Sequence, residues 1–229
     1  GDQNLTLKLL GIPIPKEQIP SPESELFSYG NYATLRNRDA FILFNLPQNR
    51  YRPSQCDPLH VDLWLNGKEL LCDGGTYSYN FDSDYFKSIK AHNTIQFDDR
   101  EPMPTLGKFL YQKWLNTKNL NFCPEKLISS AGYQDYKGAY HFREVRLSET
   151  YMKVIDVIDG FDKKAVLRWR TTEKNWELND KTFTNGKYTI EIISETNIDN
   201  LYIENGWTSH YYMKKTPIDV ICASVSKPT

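Results

Sequence analysis

Hydrophobic and polar positions alternate in short runs along most of the chain, a period of two residues that is typical of β-strands buried on one face. The runs are rich in Val, Ile, Phe, Tyr and Thr, and Gly, Asn or Asp separates them. The predicted strands cover residues 33–36, 41–44, 61–65, 69–72, 94–97, 109–111, 154–158, 166–169, 188–193 and 219–225. Helical patterns are confined to about two turns within 82–91 and one within 125–130.

Turn dipeptides connect several of these runs. Asn66-Gly67 and Asn185-Gly186 tolerate the positive φ angles of a type I′ turn, so each predicts a β-hairpin. Asp159-Gly160 predicts a third hairpin, between 154–158 and 166–169. A chain of 229 residues suits one large β domain. We therefore predict an all-β fold, a large antiparallel multi-stranded β-sandwich over residues 31–229, with ordered core from about Tyr32.

The first thirty residues have a different character. Four prolines among polar residues, at positions 13, 15, 20 and 22, predict that residues 1–30 form an extended N-terminal segment or interdomain linker. Residues 1–4 lack the charged and apolar regions of a secretory signal, so the sequence itself does not indicate a compartment.

The amino-acid composition limits the kinds of molecule that the chain is expected to bind. The formal net charge is −1 with 25% charged residues, which predicts neither nucleic-acid nor membrane-surface binding. No apolar run reaches the ~18 residues of a membrane span. The four cysteines form no CxxC pair, so neither a zinc finger nor a disulfide framework is expected. The fifteen Tyr and five Trp suit either sugar binding or a tyrosine-rich β-surface.

Three blocks concentrate Asp, His and Tyr between predicted strands: residues 55–64, 70–79 and 91–94. Side chains at strand ends converge easily, because the sheet fixes their backbones. The blocks therefore predict a metal or acid/base site, with ordinary hydrogen-bonded polar residues at hairpin ends as the alternative.

The order of these blocks resembles the C-terminal domain of heparinase II/III-like polysaccharide lyases. In that family a His-Ala-Asp block, an Asp-x-Gly-Thr-Tyr block and a His-Asn-Thr block follow one another. Here residues 55–57 (Gln-Cys-Asp), 73–77 (Asp-Gly-Gly-Thr-Tyr) and 92–94 (His-Asn-Thr) are similar, within a resemblance that covers about 28–175. The resemblance implies a helical toroid domain on the N-terminal side of this one, and a periplasmic or secreted protein.

The resemblance also implies a divalent metal, zinc or calcium, held by Gln55, Asp73 and His92. Gln55 stands where the family has a histidine, and an amide oxygen is a poor zinc ligand, so we expect weak binding or none. His60 is the other imidazole in this block. Five residues separate it from Gln55, and an odd step along a strand predicts that it points to the opposite face.

The chemistry that the resemblance implies is β-elimination on a uronic-acid-containing polysaccharide. A base removes the C5 proton, the uronate carboxylate is neutralised and an acid protonates the leaving oxygen. The candidate catalytic residues are Tyr77, Tyr79, Tyr85 and His60. Relatives often have a further histidine upstream, but residues 52–54 are Arg-Pro-Ser. We therefore expect the chain to be inactive without its helical partner; the alternative is a non-catalytic carbohydrate-binding or structural module.

Two Arg-x-Arg pairs are candidates for binding the acidic polysaccharide. Arg36 with Arg38, and Arg50 with Arg52, are spaced to share a strand face. Guanidinium groups bind carboxylate or sulfate in a forked geometry. The alternative is that all four are solvated charges at a sheet edge.

Overall fold

The computed structural model describes residues 5–14, 22–107 and 110–228. Most of the elements in these ranges are strands: β1 Glu25–Phe27, β2 Tyr32–Arg36, β3 Ala40–Asn45, β4 Val61–Leu65, β5 Lys68–Leu71, β6 Ile95–Phe97, β7 Thr105–Gly107, β8 Leu110–Tyr111, β9 Lys118–Cys123, β10 Ile128–Gln134, β11 Tyr140–Leu147, β12 Met152–Asp159, β13 Ala165–Thr171, β14 Glu177–Asn179, β15 Thr182–Thr184, β16 Thr189–Glu191, β17 Asn200–Tyr211 and β18 Lys214–Val225. The helices are α1 (Leu5–Leu9) and α2 (Ser83–Phe86), with 3-10 turns at Ile89–Ala91 and Pro124–Lys126.

Two antiparallel sheets build the fold. The larger runs β1-β2-β3-β4-β5-β13-β18-β17, with β6 also paired to β13, and the second runs β12-β11-β10-β9. Two small sheets, β14-β15-β16 and β7-β8, complete the pairing. The predicted all-β sandwich is confirmed. None of the helices in the described ranges is long and apolar enough to cross a membrane.

The core lies between the two large sheets. Ile42 and Phe44 of β3 and Val145 of β11 are fully buried in one hydrophobic cluster, which also includes Tyr133 of β10. Burial alternates along β3, as the period-two pattern predicted. Removing these side chains from water is the main stabilising contribution, about 1.5–3 kcal/mol for each large apolar residue.

Two of the three predicted hairpins are present. Asn66 and Gly67 both have positive φ (49° and 72°) and join β4 to β5. Asn185-Gly186 joins β15 to β16. The third prediction is wrong, because β12 pairs with β11 whereas β13 pairs with β5, β6 and β18. Asp159-Gly160 therefore connects a strand of one sheet to a strand of the other. The dipeptide alone does not specify whether the next strand pairs with the preceding one or joins a different sheet.

The N-terminal segment differs from the predicted extended strap. Residues 5–9 form α1, none of whose residues is buried. Residues 25–27 form β1, which pairs with β2, so the large sheet begins before Tyr32. Residues 1–4 and 15–21 of the predicted segment, and residue 109 of a predicted strand, lie outside the described residues. The division of the chain at residue 30 stays a prediction.

Candidate functional site

A cluster of two histidines and one aspartate lies at the ends of neighbouring strands. His60 immediately precedes β4, Asp73 follows the end of β5 by two residues, and His92 follows the 3-10 turn Ile89–Ala91. One donor atom from each residue lies within 4.8 Å of the others. Both histidines are buried, whereas the Asp73 side chain is 29% exposed, so the cluster opens to solvent on the carboxylate side.

Asp73 stands at the centre of the cluster. Its Oδ2 lies 2.7 Å from Nδ1 of His92 and 3.6 Å from Nε2 of His60, and its Oδ1 accepts the Gly75 amide at 2.6 Å. Burial alone raises the pKa of Asp73, but His92, His60 and the amide outweigh it and hold that pKa well below its usual range. Asp73 and His92 are in contact, as the family resemblance implied.

His60 has one defined tautomer. Its Nδ1 accepts the backbone amide of Asn93 at 2.8 Å, so its Nε2 carries the proton and donates to Asp62 Oδ1 at 2.9 Å. Burial lowers the pKa of His60, but the charges of Asp62 and Asp73 outweigh it and raise that pKa. A second ring proton would have to sit on Nδ1, against the hydrogen of the Asn93 amide. In the neutral ring, the hydrogen-bond geometry therefore places the proton on Nε2, where it is donated.

The predicted places of His60 and Gln55 need correction. His60 does not point away from the Asp73–His92 pair, because residues 55–60 form a loop, with φ of 58° at Leu59, and strand alternation does not apply there. Gln55 lies beside the cluster and donates its side-chain amide to the Gly75 carbonyl at 3.1 Å. The imidazole that faces Asp73 from this block is His60.

The donor set does not fit zinc as it stands. Two imidazoles and a carboxylate are a familiar zinc set, and their ligating atoms converge here. However, ligation through Nε2 of His60 requires the ring proton on Nδ1, which the Asn93 amide opposes. Asp73 and His92 are left as two ligands, fewer than zinc takes from a protein.

Asn93 holds the three loops of the cluster together. Its side-chain nitrogen donates to the carbonyls of Val61 (2.8 Å) and Cys72 (3.2 Å), which adjoin His60 and Asp73 in the chain. Its side-chain oxygen accepts the Arg170 amide at 2.6 Å. The sequence analysis treated Asn93 only as part of the His-Asn-Thr block. Its position directly after His92 is the feature of the sequence that indicates a role at the cluster.

The three candidate tyrosines have different surroundings. The Tyr77 ring stacks on Phe86 with centroids 5.4 Å apart. Tyr79 is 57% exposed, and its ring centroid lies 6.1 Å from that of Tyr212. The Tyr85 hydroxyl accepts two hydrogen bonds.

Tyr85 is tied to the cluster through β17. Its hydroxyl oxygen accepts the Arg170 guanidinium at 3.0 Å and the Trp207 amide at 3.1 Å. The next residue, Thr208, donates its hydroxyl to the Asp73 carbonyl at 2.8 Å. The Tyr85 hydroxyl is therefore bonded to Trp207, the sequence neighbour of the residue that contacts Asp73.

Glu69 and His210 border the cluster and were missed from the sequence. Burial, then the charges of Asp62 and Asp73, raise the pKa of Glu69 to about 7. His210 Nε2 lies 3.6 Å from its carboxylate. Neither residue belongs to a recognisable motif. His210 lies in β17 and Glu69 in β5, and these two strands are distant in sequence, so their approach depends on the tertiary fold.

The four arginines do not form the predicted pairs on shared strand faces. Arg36 ends β2, where its guanidinium lies 4.0 Å from the centroid of the Phe41 ring, and Arg38 follows in a bend. Arg50 and Arg52 lie in the loop before β4, with Arg50 over the Tyr29 ring at 4.3 Å. In the β2-β3-β4 register, Arg36 aligns with the end of β4 far from His60. A shared carboxylate-binding role has no geometric support.

The chain resembles known proteins along nearly its whole length. The family model described as "Heparinase II/III-like, C-terminal" matches residues 19–229. A solved heparinase III has 22% identity and a TM-score of 0.77 over 98% of this chain, and heparan sulfate lyase HepC from Pedobacter heparinus has 17% identity and a TM-score of 0.72 over 91%. This chain covers 36% and 34% of those two chains. No curated protein matched.

Proposed function

Because the chain belongs to the heparinase II/III-like C-terminal family, we propose that it is the β-sandwich part of a lyase that cleaves a uronic-acid-containing acidic polysaccharide by β-elimination. The observation that carries the proposal is the cluster of His60, Asp73 and His92, which opens to solvent on its carboxylate side and is linked through β17 to the Tyr85 hydroxyl. Such a cluster combines an N–H donor, a charged carboxylate and a phenol on rigid strand ends, as proton transfer requires.

Tyr85 is the β-domain group that we assign to proton transfer. The Arg170 guanidinium and the Trp207 amide both donate to its hydroxyl oxygen and hold that oxygen in a fixed position, as a group that transfers a proton requires. Its own hydrogen is not used by either of these bonds. Tyr77, packed on Phe86, and Tyr79, exposed beside Tyr212, suit contacts with sugar rings better than proton transfer.

We further propose that a helical domain on the N-terminal side supplies the other wall of the cleft. The chain covers about a third of the solved relatives, 36% and 34% of their lengths. β-Elimination needs acid, base and carboxylate neutralisation held around one sugar ring, and loss of such positioning costs orders of magnitude in rate. This chain alone is therefore expected not to turn over polysaccharide.

The test compares this chain with the full-length protein on heparan sulfate, alginate and hyaluronan. The ultraviolet absorbance of the unsaturated uronate reports cleavage directly. We expect turnover by the full-length protein on one of the three substrates and none by the chain alone. Comparable rates would make the chain a complete lyase, and cleavage without unsaturated product would exclude β-elimination.

For the metal, we propose that the cluster binds zinc weakly. Asp73 and His92 present two donors, while the Asn93 amide keeps the third, His60, in the wrong tautomer. Protein purified without chelator should contain well under one equivalent of zinc by elemental analysis. One full equivalent that survives dialysis would show that His60 releases the Asn93 amide and ligates the metal.

A non-catalytic carbohydrate-binding module is the second candidate. Tyr211 and Tyr212, at the tip of the β17–β18 hairpin, are 71% and 61% exposed, and the Tyr212 ring centroid lies 6.1 Å from that of Tyr79. Exposed aromatic rings stack on sugar faces without any chemistry. Saturable glycan binding by a full-length protein that yields no unsaturated product would favour this candidate.

A further inference from the structure

Arg143 reaches the cluster from the opposite sheet. It lies in β11 of the smaller sheet and is fully buried. Its Nη1 donates to the Leu59 carbonyl at 2.8 Å and to the Asn93 carbonyl at 2.6 Å. Leu59 directly precedes His60, and Asn93 directly follows His92. A single guanidinium nitrogen therefore joins the backbones of both histidine loops.

The guanidinium itself is held in a fixed plane. Asp156, its register partner on β12, accepts Nε at 2.7 Å and Nη2 at 3.0 Å through its two carboxylate oxygens. The Trp169 ring lies beneath at 5.0 Å from the Arg143 Cζ, and His141 Nε2 lies 2.7 Å from Asp156 Oδ1. Burial raises the pKa of Asp156, but Arg143 and His141 outweigh it and hold that pKa well below its usual range.

Stability alone does not account for this arrangement. Buried ion pairs usually add little compared with apolar residues of similar volume, because both charges must leave water. The Arg143–Asp156 pair instead fixes an orientation. The two carboxylate oxygens of Asp156 hold the guanidinium so that its Nη1 faces the Leu59 and Asn93 carbonyls. Lysine carries the same charge but lacks this planar, five-donor geometry.

We propose that Arg143, oriented by Asp156, is a positioning residue for the cluster of His60, Asp73 and His92. By holding the Leu59 and Asn93 carbonyls, it sets the distance between the two loops and keeps the Asn93 amide on Nδ1 of His60. The Nε2-protonated tautomer of His60 depends on this contact. The proposal rests on the proposed function only for its effect on turnover; the effect on His60 stands without it.

Nitrogen NMR of the ¹⁵N-histidine-labelled chain tests the proposal, because only four histidines contribute signals. We expect the wild-type His60 to show one protonated nitrogen, Nε2, and one unprotonated nitrogen, Nδ1. Arg143→Lys should move both signals towards the average of the two tautomers. The matched control is Arg168→Lys: Arg168 is 5% exposed and bonds Glu204 and Gln96 instead, so its replacement should leave the His60 signals unchanged.

Two results would overturn the proposal: a wild-type His60 protonated on Nδ1, or a folded Arg143→Lys variant with wild-type His60 signals. If Arg143→Lys does not fold, Asp156→Asn provides the test, because it keeps the guanidinium but removes the charge and one of the two acceptor oxygens that orient it. Wild-type His60 signals in that variant also overturn the proposal. Absence of lyase activity in the full-length protein, with the His60 signals as expected, would instead count against the proposed function alone.

Discussion

The backbone amide of Asn93 donates a 2.8 Å hydrogen bond to Nδ1 of His60, and this contact decides which nitrogen of the ring carries the proton. The proton on Nε2 then faces Asp62 and Asp73. The same geometry that prepares His60 as a hydrogen-bond donor makes it a poor metal ligand. Chemistry at this cluster therefore depends on the residues that hold Asn93.

Asn93→Ala should lower the stability of the domain. The side chain makes three buried hydrogen bonds, to the Val61 and Cys72 carbonyls and from the Arg170 amide, and its removal leaves those groups unpaired. We expect a loss of about 3 kcal/mol in the free energy of unfolding, measured by urea denaturation. Asn121→Ala, at an exposed position of β9, is the control and should change stability by less than ~0.5 kcal/mol. Equal effects of the two substitutions would contradict the role of Asn93.

Gly75→Ala should be more costly than Gly186→Ala. Both glycines have positive φ (75° and 80°), so an alanine at either position is strained by about 1 kcal/mol. At Gly75 the new Cβ would also lie 2.1 Å from the Ser209 carbonyl oxygen, whereas nothing lies within 4 Å at Gly186. Thermal denaturation should show a further loss of ~2 kcal/mol at Gly75. Similar losses would mean that β17 does not pack on this loop.

Glu69→Gln should change how stability depends on pH. The pKa of Glu69 is raised from an ordinary 4.5 to about 7, so the native state holds the proton more tightly than the unfolded chain does. Its protonated form favours folding below pH 4.5, and this contribution is lost as the pH rises to about 7. Glutamine does not ionise. The variant should therefore gain stability relative to wild type across this window, measured by urea denaturation at pH 4.5 and pH 8.

The control for this experiment is Glu177→Gln, which alters an exposed residue of β14. Its stability difference from wild type should stay constant with pH. A Glu69→Gln difference that is equally constant would show that Glu69 titrates as an ordinary surface carboxyl.

Tyr85→Phe in the full-length protein should reduce kcat with little change in KM. The substitution removes the hydroxyl that accepts Arg170 and Trp207 but keeps the ring, and loss of a proton-transfer group typically costs 10²–10⁴-fold. Tyr79→Phe is the matched control and should leave kcat within about threefold, because its exposed hydroxyl is assigned no proton transfer. A larger loss of kcat in Tyr79→Phe than in Tyr85→Phe would assign proton transfer to Tyr79 instead of Tyr85.

Local pattern was enough to predict much of the fold. Alternating hydrophobic positions and β-branched residues predicted most strands of the larger sheet, because side chains alternate between the faces of any strand, but β12 is the one strand of the smaller sheet that they predicted. Asn66-Gly67 predicted its hairpin correctly, since the two strands that it joins are adjacent in sequence and need no distant partner. The approach of Asp73 to His92 followed from the resemblance of their two blocks to a known family.

What the sequence alone determined is therefore the all-β class, the local hairpins and the blocks that carry chemistry. Tertiary structure decided the rest, because it depends on which distant segments meet. Asp159-Gly160 switches sheets because β11, not β13, is the partner of β12. His60 faces Asp73 because its loop turns before β4, and Arg143 reaches the Asn93 carbonyl, fifty positions away in sequence, only because the two sheets pack face to face. No local period encodes such contacts, since they arise from the packing of whole sheets rather than from neighbouring residues.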